Sequence, residues 1–314
     1  MALFIVVVLL LPIFAPSFYT YVFALVMVNG LLAMSLNLVL GYGGLYQFHH
    51  GVFYGIGAYA IALILTKSPV PWWLAFIAAP IIAALFGLVI GWICIRSTQL
   101  YFGMLQISLG SLVWIITSRW YDFTGGDNGI NNIPMPSFLT SGKEIYYFIL
   151  AVLAISIAVM YRVVKSPFGA TLQAIRDNPQ RCEAIGVNVR HHQLIAIVIA
   201  SFFAGVAGVL YVGLERSVFP DMLFWVLSLE VFVMCLLGGW FTFAGPLVGA
   251  GIIVILRTFV SIYTEYWTMI EGIILILLIF FLPQGVVGFA LGRVGRKAQA
   301  AEETVQVSER GAKV

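Results

Sequence analysis

The chain has 314 residues, 62% of them hydrophobic and only 9% charged, with a mean hydropathy of +1.04. Soluble domains carry about 25% charged residues, so this composition excludes a soluble globular protein and indicates a membrane protein. The formal net charge of +3 points to no nucleic-acid partner, and Cys94, Cys182 and Cys235 are widely spaced with no C-x-x-C pair, so neither a disulfide framework nor a metal site is expected.

Apolar runs between polar, Pro or Gly breaks predict about ten spans, close to the ~20 residues that cross ~30 Å of hydrocarbon as a helix. They fall at 2–15, 19–41, 45–66, 72–95, 99–119, 144–162, 191–214, 222–240, 246–262 and 267–282. The opening "VVVLLLPIFAP" lacks a basic flank and a small-residue cleavage site, and reads as a first short span rather than a secretory signal. The second span contains Asn37 near its end. The third is entered through "LGYGGLYQFHHGVFYGIGAY", Leu40 to Tyr59, where Gly41, Gly43, Gly44, Gly51, Gly55 and Gly57 permit close packing and a broken backbone. Such a break is tolerated in a membrane only against protein or water, so Gln47, His49 and His50 are expected to face the interior as a polar hinge. A structural role, lining of a translocation path and proton relay all remain open for them. Metal ligation is disfavoured, because adjacent helical residues point about 100° apart and no Cys or carboxylate completes a shell.

Farther along, Gln106, Ser108 and Ser111 in 99–119 are candidates for lining a cavity. The loop 121–143 contains "TGGDNGINNIP", which lacks the bidentate glutamate of a calcium loop and reads as a docking surface or a tight turn. Small residues around Gly205 and Gly208 read as helix packing. Glu230, deep in 222–240, must be paired, protonated or wetted, with Arg257 as a possible partner and Ser228 as a nearby hydrogen bonder; it is also a gating candidate. Gly238 and Gly239 close that span as hinge or packing positions. Trp72, Trp73, Trp120, Tyr121, Tyr266 and Trp267 sit at span ends as an aromatic belt. Lys and Arg concentrate in 162–190 and after 292, which makes both cytoplasmic and, by counting spans, both termini cytoplasmic. Residues 1–292 form the membrane domain, and the polar tail 293–314 is expected to be disordered.

The most informative polar stretch is 163–190. Ser166-Pro167 is an N-cap followed by proline at the first helical position, and Asn178-Pro179 repeats it. Gly186 is placed to stop the second helix. Two deliberate starts and a stop suit a docking element, while an interfacial helix on lipid headgroups is the alternative.

"SPFGATLQAIRDNPQRCEAIGVNV" is similar to the cytoplasmic signature of permease subunits of ABC importers for branched-chain amino acids. "NLVLGYGG", "GIGAYA", "TGGDNGI", "LEVFVMCLLGG", "AGPLVGA" and "LPQGVVG" match further family stretches in the same order, from Asn37 to Gly288. The resemblance implies an all-α polytopic permease in which Asn178, Pro179, Arg181, Glu183, Ala184 and Gly186 form the ATPase-coupling contact. It also implies two ABC ATPase subunits that hold ATP-Mg, a second homologous permease subunit and an extracytoplasmic solute-binding protein, all set in the cell inner membrane and its lipid. No G-x-x-x-x-G-K-[ST] motif occurs in the chain, so any ATP must be handled by a partner, and no cofactor is expected in this chain. Leucine, isoleucine and valine are the solutes implied. The family usually reads close to "GQLSLGH" where this chain reads "GLYQFHH", and the departure at Gln47 and His49 widens the choice to urea, short amides and aromatic acids. A proton- or sodium-coupled secondary transporter is the competing class, while an enzyme is not expected for want of a nucleophile and base at sensible spacing.

Overall fold

The computed structural model describes residues 9–97, 99–136, 139 and 142–263, together with isolated positions among 266–289. The span expected at 267–282 lies largely outside the described residues, and the tail at 293–314 lies wholly outside them.

A turn of helix at 9–14 leads to α1 (Ser17–Asn37), α2 (Gly51–Lys67), α3 (Trp72–Cys94), α4 (Gln99–Arg119), α5 (Gly142–Lys165), α6 (Pro167–Asp177), α7 (Pro179–Ala184), α8 (Val189–Glu215), α9 (Trp225–Gly238) and α10 (Gly245–Tyr263). Six helical stretches among the described residues are long and apolar enough to cross a membrane: Ser17–Tyr42, Trp72–Cys94, Tyr101–Arg119, Gly142–Lys165, Val189–Glu215 and Gly245–Tyr263. The protein is therefore a polytopic all-α membrane protein.

Two of the expected spans are shorter than the sequence suggested. In place of 45–66, helix begins only at Gly51 and runs for 17 residues, and in place of 222–240 it covers 14 residues. At a rise of about 1.5 Å per residue these reach roughly 25 and 21 Å, short of ~30 Å of hydrocarbon. Their missing length is irregular backbone, at 43–50 before α2 and as a 3₁₀ turn at Pro220–Leu223 before α9.

α1 and α8 run antiparallel through the middle of the bundle, tied at one end where the Tyr21 hydroxyl donates to the Glu215 carboxylate. α8 packs on α3, α2 and α1, and α1 also packs on α5 and α10. Close approach comes from small residues, as lipid-embedded helices require. A Cβ at Gly57 would lie 2.5 Å from the Gly205 Cα, and one at Gly208 would strike the Tyr54 carbonyl oxygen. At the α8 C-terminal end, the loop after α4 is pinned by reciprocal 2.9 Å bonds between Ile130 and Val218. Gly129 (φ +65°) lets the backbones meet there, since a Cβ would strike the Val218 carbonyl oxygen. At the opposite end lie the C-terminus of α1, the start of α8, and α6 and α7.

Candidate functional site: a polar break beside a capped surface element

The hinge begins as a change of helix type. α1 runs into a π-helical turn at Leu38–Tyr42, then stops, with the N–H of Leu45 bonded back to the Val39 carbonyl at 3.1 Å and Gly44 at φ +67°. Single π turns are rare and often mark functional sites. Residues 43–50 then cross without regular helix before α2 starts.

Within this break His50 is buried and its Nε2 lies 2.8 Å from the Ser35 hydroxyl oxygen. Ser35 has one proton, which goes to the Leu32 carbonyl at 2.7 Å, so the hydroxyl accepts and His50 carries its proton on Nε2. The first N–H of α2, on Gly51, donates to the Ser228 hydroxyl of α9 at 2.8 Å. Ser228 thus caps α2 instead of serving Glu230, a correction to the sequence reading. Glu230, two residues on, turns to the other side and accepts from Arg257 at 3.1 Å, so the two charges anticipated as a pair do meet.

Gln47, His49 and Gln106 are also buried, and both polar atoms of each side chain lack a hydrogen-bond partner, as does the Trp114 indole nitrogen. His49, Gln106 and Trp114 meet where the break packs on α4. Gly103, Gln106, Gly110 and Trp114 fall along one stripe of α4, at helical spacing. The Phe48 ring lies where a Gly103 Cβ would be, 2.7 Å away, and the His49 ring lies 2.5 Å from the Cβ position of Gly110. The glycines of α4 therefore admit the break's side chains, leaving a set of neutral donors and acceptors at depth. Each such group costs about 1–3 kcal/mol while unpaired, so the interface is built to meet polar matter. Ser108, in contrast, is exposed and bonds its own helix at the Met104 carbonyl. Gly55 packs on Leu223, and Gly238 packs on the Gly245 carbonyl. The Gly41 Cβ position is taken by the Trp240 carbonyl oxygen. The 239–244 loop is held there by Asn37, which donates to the Thr242 carbonyl at 3.2 Å. Gly43 lies over the Val39 carbonyl, and Gly239 adopts φ +105°.

The second part of the site is the 163–190 segment. The Ser166 hydroxyl accepts from the Gly169 N–H at 3.4 Å, and Asn178 Oδ1 accepts from the Arg181 N–H at 2.9 Å, capping α6 and α7. Asn188, not singled out in the sequence, caps α8 in the same way through the His191 N–H at 3.1 Å. Ile175, Cys182 and Val189 form a small core beneath α7. Above it Arg181, Glu183, Ala184 and Gly186 are exposed, with Asn178 and Pro179 half-buried at the helix start. Gly186 (φ +90°) ends the helix with open space about it. Ile185, which sequence reasoning passed over, is 80% exposed at the tip. A cleft of about 570 Å³ runs from this element to the break, lined by Asn178, Glu183, Arg96, Arg190, Phe102 and Leu45. Among the described residues no three of His, Cys, Asp and Glu converge to hold a metal ion.

The chain is similar to the high-affinity branched-chain amino acid transport system permease protein LivM of Escherichia coli K12, at 27% identity over 305 residues, covering 88% of this chain and 72% of the relative. A probable branched-chain amino acid transport permease protein LivM of Methanocaldococcus jannaschii is 26% identical over 83% of this chain and 81% of its own length. The high-affinity permease protein LivH of Escherichia coli K12 is 24% identical over 82% and 90%. No solved structure matches the chain significantly. The family described as branched-chain amino acid transport system / permease component matches residues 18–281, a stretch that takes in both the polar break and the capped element, and the chain belongs to that family.

Proposed function

We propose that this permease forms half of a translocation path for leucine, isoleucine and valine in an ATP-driven importer, with α7 as the dock for one of two ATPase subunits. A second permease of similar fold supplies the other half of the path. Solute arrives from an extracytoplasmic binding protein, ATP-Mg is held by the ATPases, and both termini of this chain face the cytoplasm. The observation that carries the reading is the capped α6–α7 element with Ile185 exposed at its tip, a rigid apolar knob of the kind that anchors protein interfaces. Gln47, His49 and Gln106 are the path-lining groups, because they are buried, neutral and unpartnered. The same observation supports a second solute class, small amides or urea, since Gln47 and His49 are where this sequence departs from its family. A secondary carrier is less favoured: its natural ion site, Glu230, already holds Arg257.

The test is recovery of the tagged chain from native membranes in mild detergent. P-loop ATPases and a second permease should accompany it, and uptake by the reconstituted complex should follow ATP and survive loss of the proton gradient. Recovery of the chain alone, with uptake that collapses with the gradient, overturns the reading.

A further inference from the structure

The capped element and the polar break touch through Arg176, which lies at the end of α6 one residue before Asp177 and two before the Asn178 cap. Its Nη1 donates to the Gly41 carbonyl oxygen at 2.8 Å. Nε and Nη2 donate to Asp177 Oδ1 at 3.0 and 2.9 Å, and the guanidinium carbon stands 5.3 Å from the Phe241 ring centroid. The stem lies against Gly44, where an added Cβ would come within 2.7 Å of Arg176 Cγ. One side chain therefore joins the base of α7, the π turn that ends α1, and the 239–244 loop.

We infer that Arg176 is the residue through which movement of α6 and α7 reaches the polar break, positioning Gln47, His49 and His50 according to the state of the ATPase. This rests on the reading of α7 as the ATPase dock. The two sides of the contact differ in stiffness in the way a transmission needs. α6 is capped at its start and buries Leu172 and Ile175, so it moves as a rigid rod. Residues 43–50 have no helical ladder and a left-handed residue at Gly44, so they yield. A hydrogen bond weakens steeply beyond about 3.2 Å, so a shift of about 1–2 Å in α6 either draws Gly41 with it or breaks the contact. Both outcomes give the break two arrangements. The competing reading is a static cap, because a cation is favoured beside the free carbonyls of a helix end. A cap stabilises every state alike, whereas a transmitting contact alters the ratio of transport to hydrolysis.

The experiment uses the complete importer in proteoliposomes with its binding protein and leucine as solute. For Arg176→Ala, ATPase association and ATP hydrolysis should stay within about twofold of the parent, while leucine taken up per ATP falls about tenfold, within the usual range of coupling between sites. Arg176→Lys keeps the charge but replaces the planar fork, whose separate nitrogens reach Gly41 and Asp177, with a single ammonium, and should fall between the two. Leu45→Cys, at a position that lines the cleft, should react with a thiol reagent at a rate that depends on nucleotide when Arg176 is present and no longer depends on it in Arg176→Ala. If Arg176→Ala does not assemble, Asp177→Asn, at an exposed position, reads the same ratio and should lower it. An unchanged uptake-to-ATP ratio with unchanged nucleotide dependence of labelling overturns the inference and leaves Arg176 a cap. A parent complex that never retains an ATPase overturns the dock and the inference together, and is told apart because it fails before any variant is made.

Discussion

Polar side chains inside this bundle divide by whether the chain itself satisfies them. Ser35 satisfies the Nε2 of His50, whose Nδ1 stays unpartnered, and Ser228 satisfies the first N–H of α2 across 177 residues of sequence. Removing the Ser228 hydroxyl leaves that N–H buried without an acceptor, at a cost of about 1–3 kcal/mol. Ser228→Ala should therefore lower the thermal midpoint of the detergent-purified protein, with Ser108→Ala, exposed on α4, as the silent control. Equal midpoints for both would show that the α2 start finds another acceptor. At this scale the sequence was partly readable. Glu230 and Arg257 could be paired because Glu230 lies near the middle of one span, where an unpaired charge is costly, and Arg257 in the outer third of the next is within reach. The Ser228 contact was not readable, since a serine in an apolar span can bond its own helix as easily as another, and the choice rests on the register between α2 and α9.

Among elements, local chemistry was legible and interruption was not. Ser166-Pro167 and Asn178-Pro179 announced helix starts because the cap bond and the fixed proline torsion both lie within four residues. The glycine density around Gly41 to Gly57 announced a break but not its ends, because Leu45, Tyr46 and Phe48 interleave the polar residues and let the apolar run be carried back to residue 45. The π turn at Leu38–Tyr42 has the composition of ordinary helix and left no signal. The small-residue seam between α2 and α8 was readable as packing, and its geometry separates glycines that matter from those that do not. Gly208 sits against the Tyr54 carbonyl, where a methyl group has no room; around Gly213, one and a half turns on, an added Cβ meets nothing within 4 Å. Gly208→Ala should thus force the helices apart at about 1–3 kcal/mol. Gly213→Ala should be neutral or stabilising by up to about 1 kcal/mol through helix propensity. Thermal unfolding of the two purified variants reads the difference, and equal loss in both would contradict a seam that depends on Gly208.

Across the whole molecule, the described helices bury α1 and α8 nearly all round and leave α3, α4, α5 and α10 with broad exposed apolar faces, which only lipid or another subunit can cover. The α6–α7 element is different in kind. Its surroundings are polar, it has its own small core, and yet it holds out Ile185 between Ala184 and Gly186. Lipid headgroups would be better met by the long basic side chains nearby, whereas a single aliphatic knob flanked by Arg181 and Glu183 suits a protein groove with a polar rim. Burying a side chain of this size is worth about 1.5–3 kcal/mol, or roughly one to two orders of magnitude in affinity. Ile185 is the C-cap residue of α7, but it caps through its backbone N–H and its side chain is exposed and outside the small core, so Ile185→Asp leaves the core and the cap bond in place. The variant should insert and accumulate as the parent does and keep its thermal midpoint. Its partner ATPase should dissociate about tenfold or more faster in a pull-down, with uptake lost in proportion. A variant that keeps its ATPase would move the interface off the tip of α7, and one that loses membrane accumulation as well would make Ile185 a lipid anchor.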